Sequence, residues 1–175
     1  MLELLKTRRS VRKYKNIEVE KEKIESILKA GLLAPSSKNR KPCELLVVKN
    51  KEVLEKLSKC RTRNESIFVK NANLAIVVMA NTNITPDVWI EDAAITATLI
   101  QLESHALGLG SCWVQVRERE FDENTSTEKY IKELLNIPTE YAIDSIISIG
   151  YPDQPLRVSS DENLLETRVH FETFK

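Results

Sequence analysis

Leu74-Ala75-Ile76-Val77-Val78-Met79-Ala80 is followed, after a short polar turn, by a longer apolar segment from Val88 to Leu107. The first run is uninterrupted and rich in β-branched side chains, as a central strand buried on both faces requires. The second has the composition and length of a helix. Thr85-Pro86 offers a hydroxyl cap with proline at the first turn, and Gly108 offers the stop. Its apolar residues, among them Trp89, Ala93, Ile95, Leu99, Ile100 and Leu102, cover more than one face. A helix apolar nearly all round must be buried on several sides. In a chain of 175 residues, one of those sides is expected to be another subunit.

The remaining elements group around this pair. Leu2 to Thr7 reads as a short helix, and Ser10 to Asn16 as an irregular connection. Ile24, Ile27, Leu28 and Leu32 recur at helical spacing from Lys21 to Leu33, and Pro35 ends that helix. Leu45 to Val48, Ser111 to Val116 and Ile143 to Ile149 read as further strands, and Lys51 to Lys59 as a charged amphipathic helix. Thr127 is expected to cap a helix through Leu135, and Arg168 to Glu172 alternates like a strand beyond a polar arm, Val158 to Asn163. The pattern predicts one α+β domain over residues 1–175, a mixed, mostly antiparallel central sheet wrapped by helices.

Composition excludes several functions. Lys+Arg and Asp+Glu are both 26, so the net charge is zero, against the basic excess of a nucleic-acid binder. No apolar run reaches the length of a membrane span, and Met1 to Lys6 lacks a signal-peptide core. Cys43, Cys60 and Cys112 are odd in number, with no C-x-x-C pair, which suits reduced thiols in a cytoplasmic protein. With only His105 and His170 available, a histidine-built metal centre is not expected. The four glycines form neither a P-loop nor a dinucleotide fingerprint, so side chains must hold any phosphorylated ligand.

Arg8-Arg9-Ser10-Val11-Arg12 supplies such side chains. Guanidiniums match phosphate oxygens in fork geometry and stay charged at any cellular pH. Ala34-Pro35-Ser36-Ser37-Lys38-Asn39 adds a turn offering hydroxyls, an amide and backbone N–H groups. Taken alone, each is ordinary solvated surface.

Together with their context they resemble the nitroreductase family of FMN-dependent oxidoreductases. Arg8-Arg9-Ser10-Val11-Arg12-Lys13-Tyr14 is similar to the family's opening R-R-S-x-R-x-[FY]. Ala34 to Pro42 is similar to its A-P-S-x-x-N-x-Q-P segment, with Lys41 where glutamine is common. Glu91-Asp92-Ala93-Ala94, Gly108-Leu109-Gly110-Ser111-Cys112-Trp113 and Ile149-Gly150-Tyr151-Pro152 follow in the family's order. The resemblance implies a homodimer with two FMN sites at its interface and a C-terminal arm exchanged between subunits. It implies that Arg8 and Arg9 hold the FMN phosphate, that Ser10 meets the phosphate–ribityl region, and that Arg12 reaches the pyrimidine edge. Pro35, Ser36, Ser37 and Asn39 would come from the other subunit. Gln115 and Val116 would offer backbone groups near flavin N5, with Asn64 an extra contact on the pyrimidine side. Arg157 and Arg168 are the candidates to complete the phosphate site, and Arg168 is included among the cofactor contacts.

The activity implied is hydride transfer from NADH or NADPH to flavin N5, then from the flavin to a nitroaromatic, quinone or similar electron-poor acceptor in a ping-pong cycle. No side chain is assigned as the catalytic acid or base; Arg12 acts as an electrostatic stabiliser. Two alternatives stand beside this: a flavin-binding sensor or reservoir without turnover, and a dimeric anion-binding module using Arg8 and Arg12 without flavin. Among other residues, His105 suits a capping or charge–dipole role at its helix end, and Cys112 a buried filler.

Overall fold

The computed structural model describes residues 1–156, 158 and 164–174. Four strands, β1 (Cys43–Val48), β2 (Leu74–Asn81), β3 (Gly110–Gln115) and β4 (Tyr141–Gly150), form one sheet in the order β1-β2-β4-β3. All three pairings are antiparallel; a single parallel bridge, Ser10 to Ser111, is the mixed element. β2 is central, and every residue from Leu74 to Ala80 is buried, as its unbroken apolar run demands.

The helices are α1 (Leu2–Thr7), α2 (Lys21–Leu32), α3 (Lys51–Leu57), α4 (Trp89–Ala106), α5 (Thr127–Leu135) and α6 (Leu164–Arg168). α4 and α2 cover one face, where Ile76, Val78, Ile147 and Ile149 meet Ile27, Ala93, Ala97 and Ile100. α3 and α5 cover the other, where Val77, Ile143 and Ile146 meet Leu54, Leu57 and Ile131. α4 buries Ala93, Thr96, Ala97, Ile100 and Ser104 but leaves Ile95 39% exposed, with Ala94 and Leu99 half-buried. One side of its apolar surface is therefore not covered by its own chain.

Three expectations are corrected. α4 begins at Trp89, not at Thr85-Pro86, and its N-cap Val88 gives no side-chain cap. The chain leaving β2 is first held in a turn, with Thr82 N–H and hydroxyl both on Glu140 O at 3.0 Å, so the helix starts after that constraint ends. Ser126 rather than Thr127 caps α5, accepting from Lys129 N–H at 3.1 Å, because the buried Thr127 hydroxyl donates to Cys60 O at 3.0 Å instead. Arg168 to Glu172 is not a strand: Arg168 ends α6 and exposed bends follow. Alternation makes a strand only where a sheet edge accepts it, and this segment pairs with none. Arg157, Ser159 and Ser160 lie outside the described residues.

Candidate functional site

The arginine-bearing segment is laid along the free edge of β3. Val11 N–H donates to Ser111 O at 2.9 Å, and Lys15 N–H donates to Tyr151 O at 2.9 Å. Arg12 and Lys13 N–H both donate to Gln154 Oε1, at 3.0 and 3.2 Å. The buried Tyr14 hydroxyl donates to Val11 O and meets Ser148 Oγ at 2.8 Å. The approach needs a glycine: a Cβ on Gly110 would lie 2.5 Å from Val11 Cγ2. At the other end of this loop Gly108, at φ 77, ends α4 in the left-handed region.

This lacing sets the charges in place. Arg12 lies over the Phe68 ring, 5.6 Å from its centroid. Among the described residues neither Arg8 nor Arg12 has an ion-pair partner. Both act on the buried Cys112 thiol. Burial pushes that thiol up, while Arg12, a hydrogen bond with Ser10 and then Arg8 pull it back. Cys112 is thus a buried filler, as expected, and also marks where Arg8, Ser10 and Arg12 converge. His105 Nε2 meets Thr7 Oγ1 at 2.8 Å and ties α1 to the end of α4. Its pKa is lowered, first by burial and then by Arg8 and Arg9. A charge–dipole role is therefore replaced by a neutral link beside the two guanidiniums.

β3 is an edge strand, and the Ser111 carbonyl points outward to Val11. Backbone groups alternate along a strand, so those of Trp113 and Gln115 face the same open edge. Of the two expected backbone contacts, Gln115 therefore has its N–H on that edge. Val116 is buried, and its N–H donates to Asp144 O at 3.1 Å. Arg61, which no sequence motif singles out, donates to Gln115 O at 3.2 Å and pairs with Glu65. It draws the loop of Asn64, itself exposed at φ 54, toward this edge. Arg168 is exposed in α6.

The second predicted segment lies elsewhere. Ser37 to Asn39 forms a short 3-10 turn whose Ser37 N–H donates to Asp92 Oδ1 at 2.8 Å, in the first turn of α4. Lys41 N–H returns to Ser36 Oγ at 2.8 Å. Pro35 and Ser36 line a cavity of ≈ 240 Å³ together with Lys41, Cys43 and Thr96. Arg8 and Arg9 instead follow Thr7, which meets His105 in the last turn of α4. At 1.5 Å per residue, Asp92 and His105 are about 20 Å apart along the helix. Within one chain the two segments therefore mark opposite ends of α4.

Among the described residues, no cluster of His, Cys, Asp or Glu could hold a metal ion, and no helix is long and apolar enough to cross a membrane.

An antiparallel α+β sheet with an arginine-bearing segment laced to one edge and a serine turn at the far end of its main helix defines a class that sequence comparison identifies. The model of the Nitroreductase family matches residues 5–63 and 60–151, and the chain belongs to that family. An FMN-dependent nitroreductase of Clostridium difficile R20291 has the same fold, with a TM-score of 0.96 and 53% identity over 99% of this chain and all of its own. A Clostridium acetobutylicum protein provisionally named an NADH oxidase superposes at a TM-score of 0.87, with 34% identity over 98% of this chain and 99% of its own. An Archaeoglobus fulgidus protein provisionally named an NADH dehydrogenase/NAD(P)H nitroreductase is 36% identical over 98% of this chain and 97% of its own.

Proposed function

We propose that residues 1–175 are one FMN-binding domain of a homodimeric, cytoplasmic NAD(P)H-dependent oxidoreductase. The observation that carries this is the edge of β3, along which the Ser10–Ser111 bridge and the Val11 N–H to Ser111 O bond lay the segment bearing Arg8, Ser10 and Arg12, with neither Arg8 nor Arg12 neutralised by an ion pair among the described residues. The residues present fit FMN: a phosphate needs fixed cations, and a planar ring edge needs backbone donors such as the outward-facing Gln115 N–H. FMN, when bound, would supply the redox chemistry, hydride transfer from NADH or NADPH to an electron-poor acceptor such as a nitroaromatic or a quinone.

This chain's own residues bind and orient. Arg8 and Arg9 hold the phosphate and Ser10 the adjoining hydroxyl region. Arg12, kept in place by Phe68, faces the pyrimidine edge and favours electron acceptance there. Gln115 borders the reacting edge through its outward N–H, while Val116, its N–H held by Asp144 O, fixes the end of that strand, and Asn64 adds a pyrimidine-side contact. Arg168 completes the phosphate site from the arm, which is exchanged with the partner; the exposed Phe171 and Phe174 are the surface such an arm would bury. Pro35, Ser36, Ser37 and Asn39 come from the second subunit. The roughly 20 Å between the two ends of α4 supports that division, since one chain cannot bring its own turn beside its own Arg8. The exposed Ile95, Leu32 and Leu33 support a subunit contact near that turn.

The test is the visible spectrum of the purified protein, release of the chromophore, and steady-state kinetics with NADH or NADPH and a nitro acceptor. Bound FMN and parallel double-reciprocal lines are expected. A colourless protein that cannot be reconstituted refutes the flavin site, and bound FMN without turnover leaves the sensor reading.

A further inference from the structure

Asp92 is a buried carboxylate that no role above uses. It is 3% exposed in the first turn of α4, where unpaired helix N–H groups favour negative charge. Oδ1 accepts the Ser37 N–H at 2.8 Å. Oδ2 is buried with no hydrogen-bond partner among the described residues. A buried carboxylate is costly, so its place here calls for a compensating use.

The turn that it grips has the densest run of left-handed non-glycine backbone among the described residues. Lys38, Asn39 and Lys41 take φ of 52, 55 and 49, three left-handed non-glycine residues within four positions. Such residues persist where their surroundings over-determine them. Inside the turn, Asn39 N–H reaches Ser36 O at 2.9 Å and Arg40 N–H reaches Ser37 O at 3.1 Å. Those bonds shape the turn, whereas the bond to Asp92 anchors it to the rigid helix.

We propose that Asp92 is a positioning residue: Oδ1 fixes the Pro35–Asn39 turn in the conformation in which it closes over the flavin of the partner subunit. This rests on the shared flavin site proposed above. Asp92 touches no ligand; it acts through the Ser37 N–H.

The test uses the full-length protein and two readouts, hydrogen exchange of the Ser37 amide without flavin and FMN affinity by fluorescence titration. Asp92→Ala should speed the exchange by about tenfold or more and weaken FMN binding by a similar factor. Asp92→Asn, which keeps an oxygen acceptor, should stay within about threefold of wild type in both. Adding Asp92→Ala to Ser37→Pro should weaken FMN no further than Ser37→Pro alone, since the N–H is already gone. Unchanged exchange in Asp92→Ala overturns the proposal. So does a loss of melting temperature in both Asp92 variants with unaltered FMN affinity, the mark of a purely structural residue. If Asp92→Ala does not fold, Ser37→Pro decides, because the extended Ser36 (φ −137, ψ 157) suits a following proline; wild-type FMN affinity there overturns the proposal. If the wild-type protein takes up no FMN, the flavin reading falls, and the exchange rates still decide whether Asp92 holds the turn.

Discussion

Replacing Gly110 by alanine puts a methyl group where the arginine-bearing segment crosses β3. The new Cβ would lie 2.5 Å from Val11 Cγ2, 2.6 Å from Val11 Cβ and 2.8 Å from Val11 Cγ1. Rotation about χ1 can move the two methyls but not Val11 Cβ, which is fixed to the backbone. Carbon atoms are at ease at roughly 3.5–4.0 Å, so the segment must retreat by about 1 Å. The Val11 N–H to Ser111 O bond, now 2.9 Å, would then be lost. Overpacking costs about 1–3 kcal/mol and the bond about 1 kcal/mol, together roughly 2–4 kcal/mol. With a urea slope of about 2 kcal/mol per molar, the unfolding midpoint should fall by roughly 1–2 M. FMN should bind more weakly, because Arg8, Arg9 and Arg12 ride on the displaced segment. Adding Val11→Ala should recover only part of the loss, since the closest fixed atom stays. A Gly110→Ala protein with an unmoved midpoint and unchanged FMN affinity would refute the reasoning.

Three other outcomes are expected. Binding of FMN or inorganic phosphate at Arg8 and Arg9 should raise the His105 pKa, because those guanidiniums help to lower it; proton NMR of the imidazole follows this, and an unmoved resonance sinks the phosphate assignment. Without the anion, the unfolded chain takes that proton first, so stability should be lost as pH falls below about 6.5 and through the lower folded value. Asp144→Asn should raise the melting temperature at neutral pH, since burial raises the carboxyl's pKa and the neutral amide removes the charge that burial disfavours. Its native state binds the proton more tightly, so wild-type stability falls as pH rises from 3.8 through the raised value, and the variant's advantage should vanish at low pH in thermal melts. Arg12→Ala should lower the flavin midpoint potential by about 30 mV for each tenfold loss of preference for the reduced form, read by spectroelectrochemistry; an unchanged potential removes Arg12 from the pyrimidine edge.

Elements with a single dominant local cause were legible in the sequence. β2 is buried from Leu74 to Ala80 because that run offers no polar face. α2 stops at Leu32, just ahead of Pro35, whose ring excludes helix from the residue before it. Elements with two competing local causes were not. Thr85 and Thr127 both carry a cap signal, but the chain around Thr85 is first held by Glu140, and the Thr127 hydroxyl is claimed by Cys60. The tail alternates like a strand yet pairs with none of the described strands. The site divides in the same way. Arg8, Arg9, Arg12 and the serine turn stand out by residue type, whereas Arg61 and Asp92 look like ordinary surface and helix charges until the fold carries them to Gln115 and Ser37.

The order of residues by itself determined which segments must be buried, which carry fixed positive charge and which family they belong to, because burial and charge are properties of side chains. Only the folded chain decided where the charge points. Val11 packed over a bare Gly110 lays the arginine-bearing segment along one strand edge, and an 18-residue helix sets the serine turn at the opposite end. Distances of that kind come from backbone paths through space, which no local run of residues contains.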